Sequence, residues 1–146
     1  MAETGLFAVV RIRGSIGLNK ARKDTLNMLN LTRVNHCVVI RGDPSYTGML
    51  RKIENYVTWG EITKETLEKL VLKRGRVTGN KKIEPEKVKK ITETILKDKS
   101  VKNTPLKPVF RLHPPKKGYK SIKVLYPKGD AGYRGEKINE LLKRMI

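Results

Sequence analysis

The chain has 146 residues, about the size of one ordinary domain, and carries 33 lysines and arginines against 14 aspartates and glutamates. The resulting net charge of +19 repels itself unless something anionic neutralises it, so nucleic acid and acidic membrane are the candidate partners. A hydrophobic content of 38% indicates a folded core rather than a disordered polycation. The longest apolar run, Leu6–Val10, is far too short to cross a membrane, and no basic region precedes it, so we expect neither a membrane span nor a signal peptide.

The first sixty residues predict the element order β-α-β-α-β. Alternation over Leu6–Arg13 and the apolar run within His36–Arg41 predict two strands, and Tyr56–Trp59 predicts a short third one. The helix between the first two strands has an apolar side made of Leu18, Ala21, Thr25, Met28 and Leu29. A second helix, with Leu50 and Ile53 on its apolar side, precedes the third strand. Alternating elements with short links predict a small sheet with both helices packed on one face.

Two further helices are predicted in the middle of the chain. Thr63 is suited to cap the start of one of them, and Gly75 is suited to follow its end as the C′ residue. Pro85 fits the first position of the next helix, which we expect to run to about Asp98. The intervening stretch, Arg76–Lys82, is predicted to be a basic loop.

The positive charge is concentrated in the second half of the chain. Residues 1–73 carry a balance of +5, whereas residues 74–146 carry +14. The stretch Lys99–Lys128 contains nine basic residues, no acidic residue and five prolines, so we expect an extended arm rather than a helix. A last helix is predicted to begin near Gly135, with an apolar side formed by Ile138, Leu141, Leu142 and Met145.

The sequence contains no recognisable catalytic or metal-binding constellation. The stretch from Gly42 to Gly48 has the wrong spacing, and no lysine, for a nucleotide-binding phosphate loop. The single cysteine, Cys37, excludes an internal disulfide and lies in an apolar strand, which favours a buried structural thiol. We therefore predict a cytoplasmic protein that is not an enzyme and has no cofactor, metal or small-molecule substrate. One alternative stays open: the strand, turn and helix across Arg13–Arg22 resemble the phosphate cradle of an acylphosphatase, although no partner asparagine is evident.

The turn at Gly14–Gly17 is the best candidate for a phosphate-binding site. Five basic residues converge there, namely Arg11 and Arg13 at the end of the strand and Lys20, Arg22 and Lys23 at the start of the helix. Free N–H groups at the helix start add to the attraction for phosphate. The other candidate RNA-binding residues are Arg41, Arg51, Lys52, Arg74, Arg76, Lys81, Lys82, Arg111, His113, Lys116, Lys117, Lys120 and Arg134.

Several short motifs follow one another along nearly the whole chain. They are Phe7–Arg13 with Gly14, Arg22–Leu26, Gly48–Lys52, Trp59-Gly60, Lys73-Arg74-Gly75, Leu112-His113-Pro114-Pro115, and Gly129-Asp130-Ala131-Gly132 leading to Ile138-Asn139. Their order resembles the large-subunit ribosomal protein family numbered thirty in bacteria and seven in eukaryotes. Residues 1–60 look like the short bacterial form, a β-α-β-α-β core module. Residues 61–146 look like the basic extension of archaeal and eukaryotic members, packed on the core within one domain. The long basic tail of eukaryotic members is missing, which points to the archaeal type.

The resemblance implies an α+β fold: a three-stranded antiparallel sheet in the order 3-1-2 with two helices on one face, ferredoxin-like, followed by a helical extension and a basic proline-rich C-terminal arm. It implies a structural role in the large ribosomal subunit, with large-subunit rRNA and neighbouring ribosomal proteins as partners and no membrane. It also implies that His113 contacts RNA and that the arm orders only on assembly. The alternative is a general nucleic-acid-binding or RNA-processing protein, since charge alone does not select one nucleic acid.

Overall fold

A computed structural model of the chain describes residues 6–14, 17–77, 81–98, 109–119, 121–126 and 128–146. Its elements in chain order are β1 (Leu6–Arg11), α1 (Lys20–Met28), β2 (His36–Arg41), α2 (Pro44–Lys52), β3 (Val57–Glu61), α3 (Lys64–Arg74), β4 (Arg76–Val77), β5 (Lys81–Lys82), α4 (Pro85–Asp98), β6 (Phe110–Arg111), β7 (Gly132–Tyr133) and α5 (Ile138–Met145). A single 3₁₀ turn, Gly135–Lys137, leads into α5. The predicted α+β class is confirmed.

The main sheet has five strands in the order β6-β2-β1-β3-β7. Its three inner strands are antiparallel, with Val9 of β1 opposite Val38 on one side and Trp59 on the other. The outer strands β6 and β7 were missing from the three-strand prediction, because two-residue strands carry no hydrophobic period that a sequence can reveal. β7 runs parallel to β3, so the complete sheet is mixed rather than purely antiparallel.

The two faces of the sheet bury two separate apolar clusters, because successive side chains of a strand point to opposite faces. Val9 lies in the first cluster, where α1 and α2 contribute Leu26, Leu29, Leu50 and Ile53. The neighbouring Ala8 and Val10 lie in the second cluster, which α3, α4 and α5 complete with Leu67, Leu70, Val71, Val88, Ile91, Ile95, Leu141, Leu142 and Met145. The first two helices thus share one face, and the helices after β3 cover the other.

Gly60 of β3 shows how closely the C-terminal part of the chain packs against the sheet. A Cβ atom at this position would lie 1.9 Å from the carbonyl oxygen of Gly135. Only a residue without a side chain lets the 3₁₀ turn cross the strand at that distance. Next to it, the Asn139 side chain accepts a hydrogen bond from Thr63 N and donates one to the Glu61 carbonyl oxygen, which joins the starts of α3 and α5 to the end of β3.

Three local predictions were wrong in detail. In α1, Ala21 and Met28 are exposed and Leu26 is buried, because Thr25, Leu26 and Leu29 are the residues that face the sheet. The predicted loop Arg76–Lys82 contains the short antiparallel pair β4 and β5 on either side of residues that lie outside the described part of the chain. Gly75 does end α3, but with φ −63° instead of the left-handed conformation expected of a C′ glycine.

The described part of the predicted arm Lys99–Lys128 lies against the body of the protein. Phe110 is fully buried, and its strand β6 pairs with β2. Further along, Lys116 N donates to the carbonyl oxygen of Arg144 (3.1 Å), and the Tyr119 hydroxyl donates to Asn35 Oδ1 (2.8 Å). This segment therefore packs on the sheet and on α5, because one buried aromatic side chain and several backbone hydrogen bonds hold it there. Residues 99–108, 120 and 127 lie outside the described residues.

Candidate nucleic-acid interface

Most of the predicted basic residues lie at one end of the main sheet. Strand β1 finishes at Arg11, and its antiparallel partners β2 and β3 begin beside it at His36 and Val57. Helices α2, α3 and α5 also finish at this end. Arg51 and Lys52 of α2 directly precede the turn into β3, Met145 of α5 accepts a hydrogen bond from His113 N, and the ends of α3 and α5 line one cleft. We call this end the basic end and list its residues below.

At the β1–α1 junction, two arginines share one tyrosine ring. The guanidinium carbon of Arg13 lies 5.1 Å from the centre of the Tyr56 ring, and that of Arg22 lies 5.8 Å from it. The Asn19 side chain accepts a hydrogen bond from Arg22 N (2.9 Å), which satisfies one of the N–H groups at the start of α1. Ser15 and Ile16 of the predicted turn lie outside the described residues. The cationic side chains at this junction therefore lie beside a helix start that is capped at Arg22 N.

A second group of cations surrounds His36 at the edge of the sheet. Burial, and then the positive charges of Arg111, Arg33 and Arg11 in that order, lower the pKa of His36. Arg111 pairs with His36 across β6 and β2, and both Arg111 and Arg33 are exposed. This edge therefore has a positive potential that disfavours an additional proton, and it is open to an anionic partner.

A third group of cations lines a cleft of about 420 Å³ where α3 and α5 end. The cleft is lined by Leu72, Lys73, Arg74, Arg76, Lys82 and Ile146. The Arg76 guanidinium donates to the carbonyl oxygens of Lys73 (3.2 Å) and Gly75 (2.9 Å), which satisfies the end of α3. Arg74 Nε is buried without a hydrogen-bond partner. The cleft is thus a cationic recess of a size that accommodates a phosphate group.

Two of the predicted RNA-binding arginines are buried instead and serve the fold. Arg11 is 3% exposed and donates to the carbonyl oxygens of Leu31 (2.8 Å) and Arg13 (2.9 Å). Arg134 is 7% exposed, forms an ion pair with Asp130 (2.8 Å) and donates to Thr58 Oγ1 (2.9 Å). Both guanidiniums use their donors inside the protein, so we remove both residues from the candidate interface.

Arg41 also leaves the candidate interface. Arg41 lies at the opposite end of the sheet, opposite Leu6, and its guanidinium is 3.7 Å from an oxygen of Asp43. Lys120 is outside the described residues. The predicted residues that remain exposed or half-exposed at the basic end are Arg13, Lys20, Arg22, Lys23, Arg51, Lys52, Arg74, Arg76, Lys81, Lys82, Arg111, His113, Lys116 and Lys117.

The sequence analysis missed several basic residues at this end, among them Lys73 in the cleft, Arg33 and Arg144. Arg33 lies three residues before the start of β2, and Arg144 lies in the last turn of α5, where it donates to the carbonyl oxygens of Lys116 and Gly118. The signal for Arg33 was available, because a basic residue just before β2 must lie at the same end of an antiparallel pair as the residues that follow β1. No comparable signal exists for Arg144, whose position depends on how α5 packs.

The opposite end of the sheet has a different charge. It carries Asp43 after β2, Glu61 at the end of β3 and three residues in the first turns that follow, namely Glu65, Glu136 and Glu140. The Tyr133 hydroxyl donates to Glu61 Oε1 (2.6 Å), and this hydrogen bond is the main reason why the pKa of Tyr133 is raised to about 12. The protein is therefore polarised along the sheet.

Among the described residues, we also considered the cysteine, possible metal ligands and membrane-spanning helices. Cys37 is buried as predicted, and burial raises the pKa of its thiol to about 12. Within the described ranges, no three His, Cys, Asp or Glu side chains are grouped so that they could hold a metal ion. Nor does any helix in those ranges have the length and apolar character needed to cross a bilayer.

A mixed sheet covered on both faces, with cations gathered at one end, defines a basic α+β protein of the kind that binds nucleic-acid backbone. The family model for "Ribosomal protein L30p/L7e" matches residues 7–57. The chain is 50% identical over 152 aligned positions to "Large ribosomal subunit protein uL30" of Methanococcus maripaludis, covering 96% of this chain and 99% of that protein. The same protein of Archaeoglobus fulgidus is 50% identical over 151 positions, and that of Methanosphaera stadtmanae is 46% identical over 152.

The chain therefore belongs to the ribosomal protein L30p/L7e family. These relatives are archaeal and are matched over almost their whole length, which confirms the predicted archaeal type. Membership in a family of ribosomal proteins also supports the prediction that the chain is not an enzyme.

Proposed function

We propose that this protein is a structural constituent of the large ribosomal subunit in the cytoplasm, where its basic end binds large-subunit rRNA. The single observation that carries the proposal is the 50% identity, over 96% of the chain, to a protein named for that subunit. The chain's own charge supports it, because +19 on 146 residues needs a densely anionic partner. Neighbouring ribosomal proteins are proposed as further partners.

The first turn of α1 gives independent support for an anionic partner at the basic end. Lys20, Arg22 and Lys23 lie in that turn, which contains no acidic residue. Cations at a helix N-terminus oppose the helix dipole, which costs about 0.3–1 kcal/mol each. By contrast, α3, α4 and α5 each have an acidic residue in the first turn and a basic one in the last, as α3 does with Glu65 and Arg74. An anion bound beside α1 would offset the cost of its three cations.

We propose different roles for two consecutive parts of the chain. Residues 1–60 form the core module, and residues 61–146 form a basic extension packed on it, ending in the helix α5. We propose that the proline-rich arm lies along RNA and that His113, which is exposed, contacts it there. The order of the inner strands β3, β1 and β2 supports this arrangement, because basic residues of both parts of the chain then lie at the basic end.

The test is sedimentation in an organism that has a related protein, 50% identical to this chain. A tagged copy of the full chain, expressed in Methanococcus maripaludis, is expected to co-sediment with large subunits at moderate salt. With purified components, the chain is expected to bind large-subunit rRNA from that organism more tightly than random duplex DNA. If about 6–10 phosphates are contacted, affinity falls about 10³- to 10⁵-fold between about 50 and 200 mM salt. Equal affinity for both nucleic acids, with the protein absent from large subunits, would favour a general nucleic-acid-binding protein.

A further inference from the structure

The ring of Tyr56 lies beside two arginines that come from just after β1 and from α1. The ring is 7% exposed, and the backbone on which it is mounted is fixed by hydrogen bonds from Ile12 N (2.9 Å) and Arg13 N (3.3 Å) to its carbonyl oxygen. Arg13 and Arg22 both lie within 6 Å of the ring centre, the range in which a cation is attracted to an aromatic face. One buried ring thus has two half-exposed guanidiniums within 6 Å of its centre.

Both guanidiniums keep their donors available. Across the described part of the chain, the side chains of Arg13 and Arg22 take part in no ion pair and donate no hydrogen bond. Each guanidinium has five N–H donors arranged in a planar fork. Two like charges held near one ring also repel each other, so an anion that bridges them removes the repulsion and satisfies the donors together.

We propose that Arg13 and Arg22 form a clamp for a single backbone phosphate of RNA, and that Tyr56 is the positioning residue of this clamp. The inference rests on the proposed function, because it takes RNA as the ligand. Arginine forks match phosphate oxygens in a bidentate manner, which a lysine cannot do. A phosphate contact fixes the position of a protein on RNA without reading its sequence, which suits a structural constituent of a ribonucleoprotein.

A shared phosphate makes the two arginines depend on each other, and this dependence can be measured. The full chain and the variants Arg13→Gln, Arg22→Gln and the double variant are titrated with Methanococcus maripaludis large-subunit rRNA by filter binding over a range of KCl. We expect each single variant to lose about tenfold in affinity, the size of one lost charged hydrogen bond. The double variant should lose little more, and its salt slope should fall by one phosphate contact. A hundredfold loss with a slope reduced by two contacts, or no loss at all, would overturn the clamp.

The role of Tyr56 is tested with variants that leave the charge of the protein unchanged. Tyr56→Phe keeps the ring and should bind like the wild type, whereas Tyr56→Leu should lose about tenfold although no charge has changed. Wild-type affinity in a folded Tyr56→Leu would overturn its positioning role. Should Tyr56→Leu fail to fold, Arg13→Lys and Arg22→Lys carry the test, since each keeps the charge and loses the fork. They should bind severalfold more weakly with an unchanged salt slope, and full affinity in both would overturn the clamp.

The controls separate the clamp from the proposed function. Lys64→Gln removes one exposed charge at the opposite end and should change affinity by less than about twofold, because exposed charges beyond a Debye length are screened. If the wild type prefers large-subunit rRNA to random duplex DNA but the arginine variants bind normally, only the clamp fails. If the wild type shows no preference and the arginine variants still lose affinity jointly, the clamp stands as a phosphate site and the proposed ribosomal function fails.

Discussion

The two ends of the sheet use the same elements and differ in charge, because cations dominate the basic end whereas carboxylates and cations are mixed at the opposite end. At the basic end, Arg51 closes α2 and Arg74 closes α3, while at the opposite end Glu65 opens α3 and Glu140 opens α5. Each of these placements is locally favourable, because anions suit helix N-termini and cations suit helix C-termini. Since α2, α3 and α5 all finish at the basic end, their small local preferences add up to a polarised molecule. The comparison shows that the orientation of the helices, as well as the amino-acid composition, produces the basic end.

The start of α1 departs from this favourable pattern, and its charge placement is better explained by function than by stability. Its three basic residues lie at the end of the helix where a cation is unfavourable, and one of them, Arg22, lies beside the Tyr56 ring together with Arg13. A protein selected only for stability has no reason to place them there. The predictions below test whether the two ends differ in function as they differ in charge.

The largest effect is expected from reversing charge at one end and not at the other. Arg51→Glu with Lys52→Glu should weaken binding to large-subunit rRNA by about a hundredfold or more, because phosphate contacts are lost and repulsion is added. The matched control, Lys64→Glu with Lys137→Glu, makes the same change in net charge at the opposite end and should cost less than about threefold. Filter binding at fixed salt measures both, and circular dichroism checks the fold. Equal losses would mean that the total charge matters and its distribution does not.

A second prediction concerns Arg134, the buried arginine that we removed from the candidate interface. Arg134→Met leaves Asp130, which is 4% exposed, without its arginine and should lower the free energy of unfolding by about 3–5 kcal/mol. Urea denaturation measures the loss. Adding Asp130→Asn should restore part of it, because the buried charge that has lost its arginine is then removed. The salt slope of rRNA binding by the folded variant should not change. A reduced slope would show that Arg134 contacts phosphate after all.

The smallest effect is expected at the opposite end, from the hydrogen bond between Tyr133 and Glu61. In the folded protein the pKa of Tyr133 is raised from 10.0 to about 12, so the contact stabilises the fold fully below pH 10 and is lost as pH rises through about 12. The stability advantage of the wild type over Tyr133→Phe should therefore shrink between these pH values. Urea denaturation at several pH values measures it, and rRNA affinity near neutral pH should be the same for both proteins. A constant difference in stability across the range would contradict this account.

Much of the fold could be read from local pattern. The alternation around Val9, the bounds of β2 and the helix from Pro85 were predictable, because each depends on a hydrophobic period or a capping residue within a few positions. The apolar side of α5 was predictable for the same reason. The two-residue strands β6 and β7 were not, since their pairing depends on partners far away in the chain.

For the candidate site, too, some properties follow from the sequence and others only from the tertiary structure. The amino-acid sequence alone determined that the protein is strongly basic, that the cations are concentrated near the turn after β1 and in the second half, and which family it resembles. Only the tertiary structure decided which cations reach the surface, since nothing local distinguishes the buried Arg11 from the half-exposed Arg13 two positions later. The physical reason is that burial of a charged side chain depends on carbonyl and carboxylate partners that distant segments supply, such as Leu31 for Arg11.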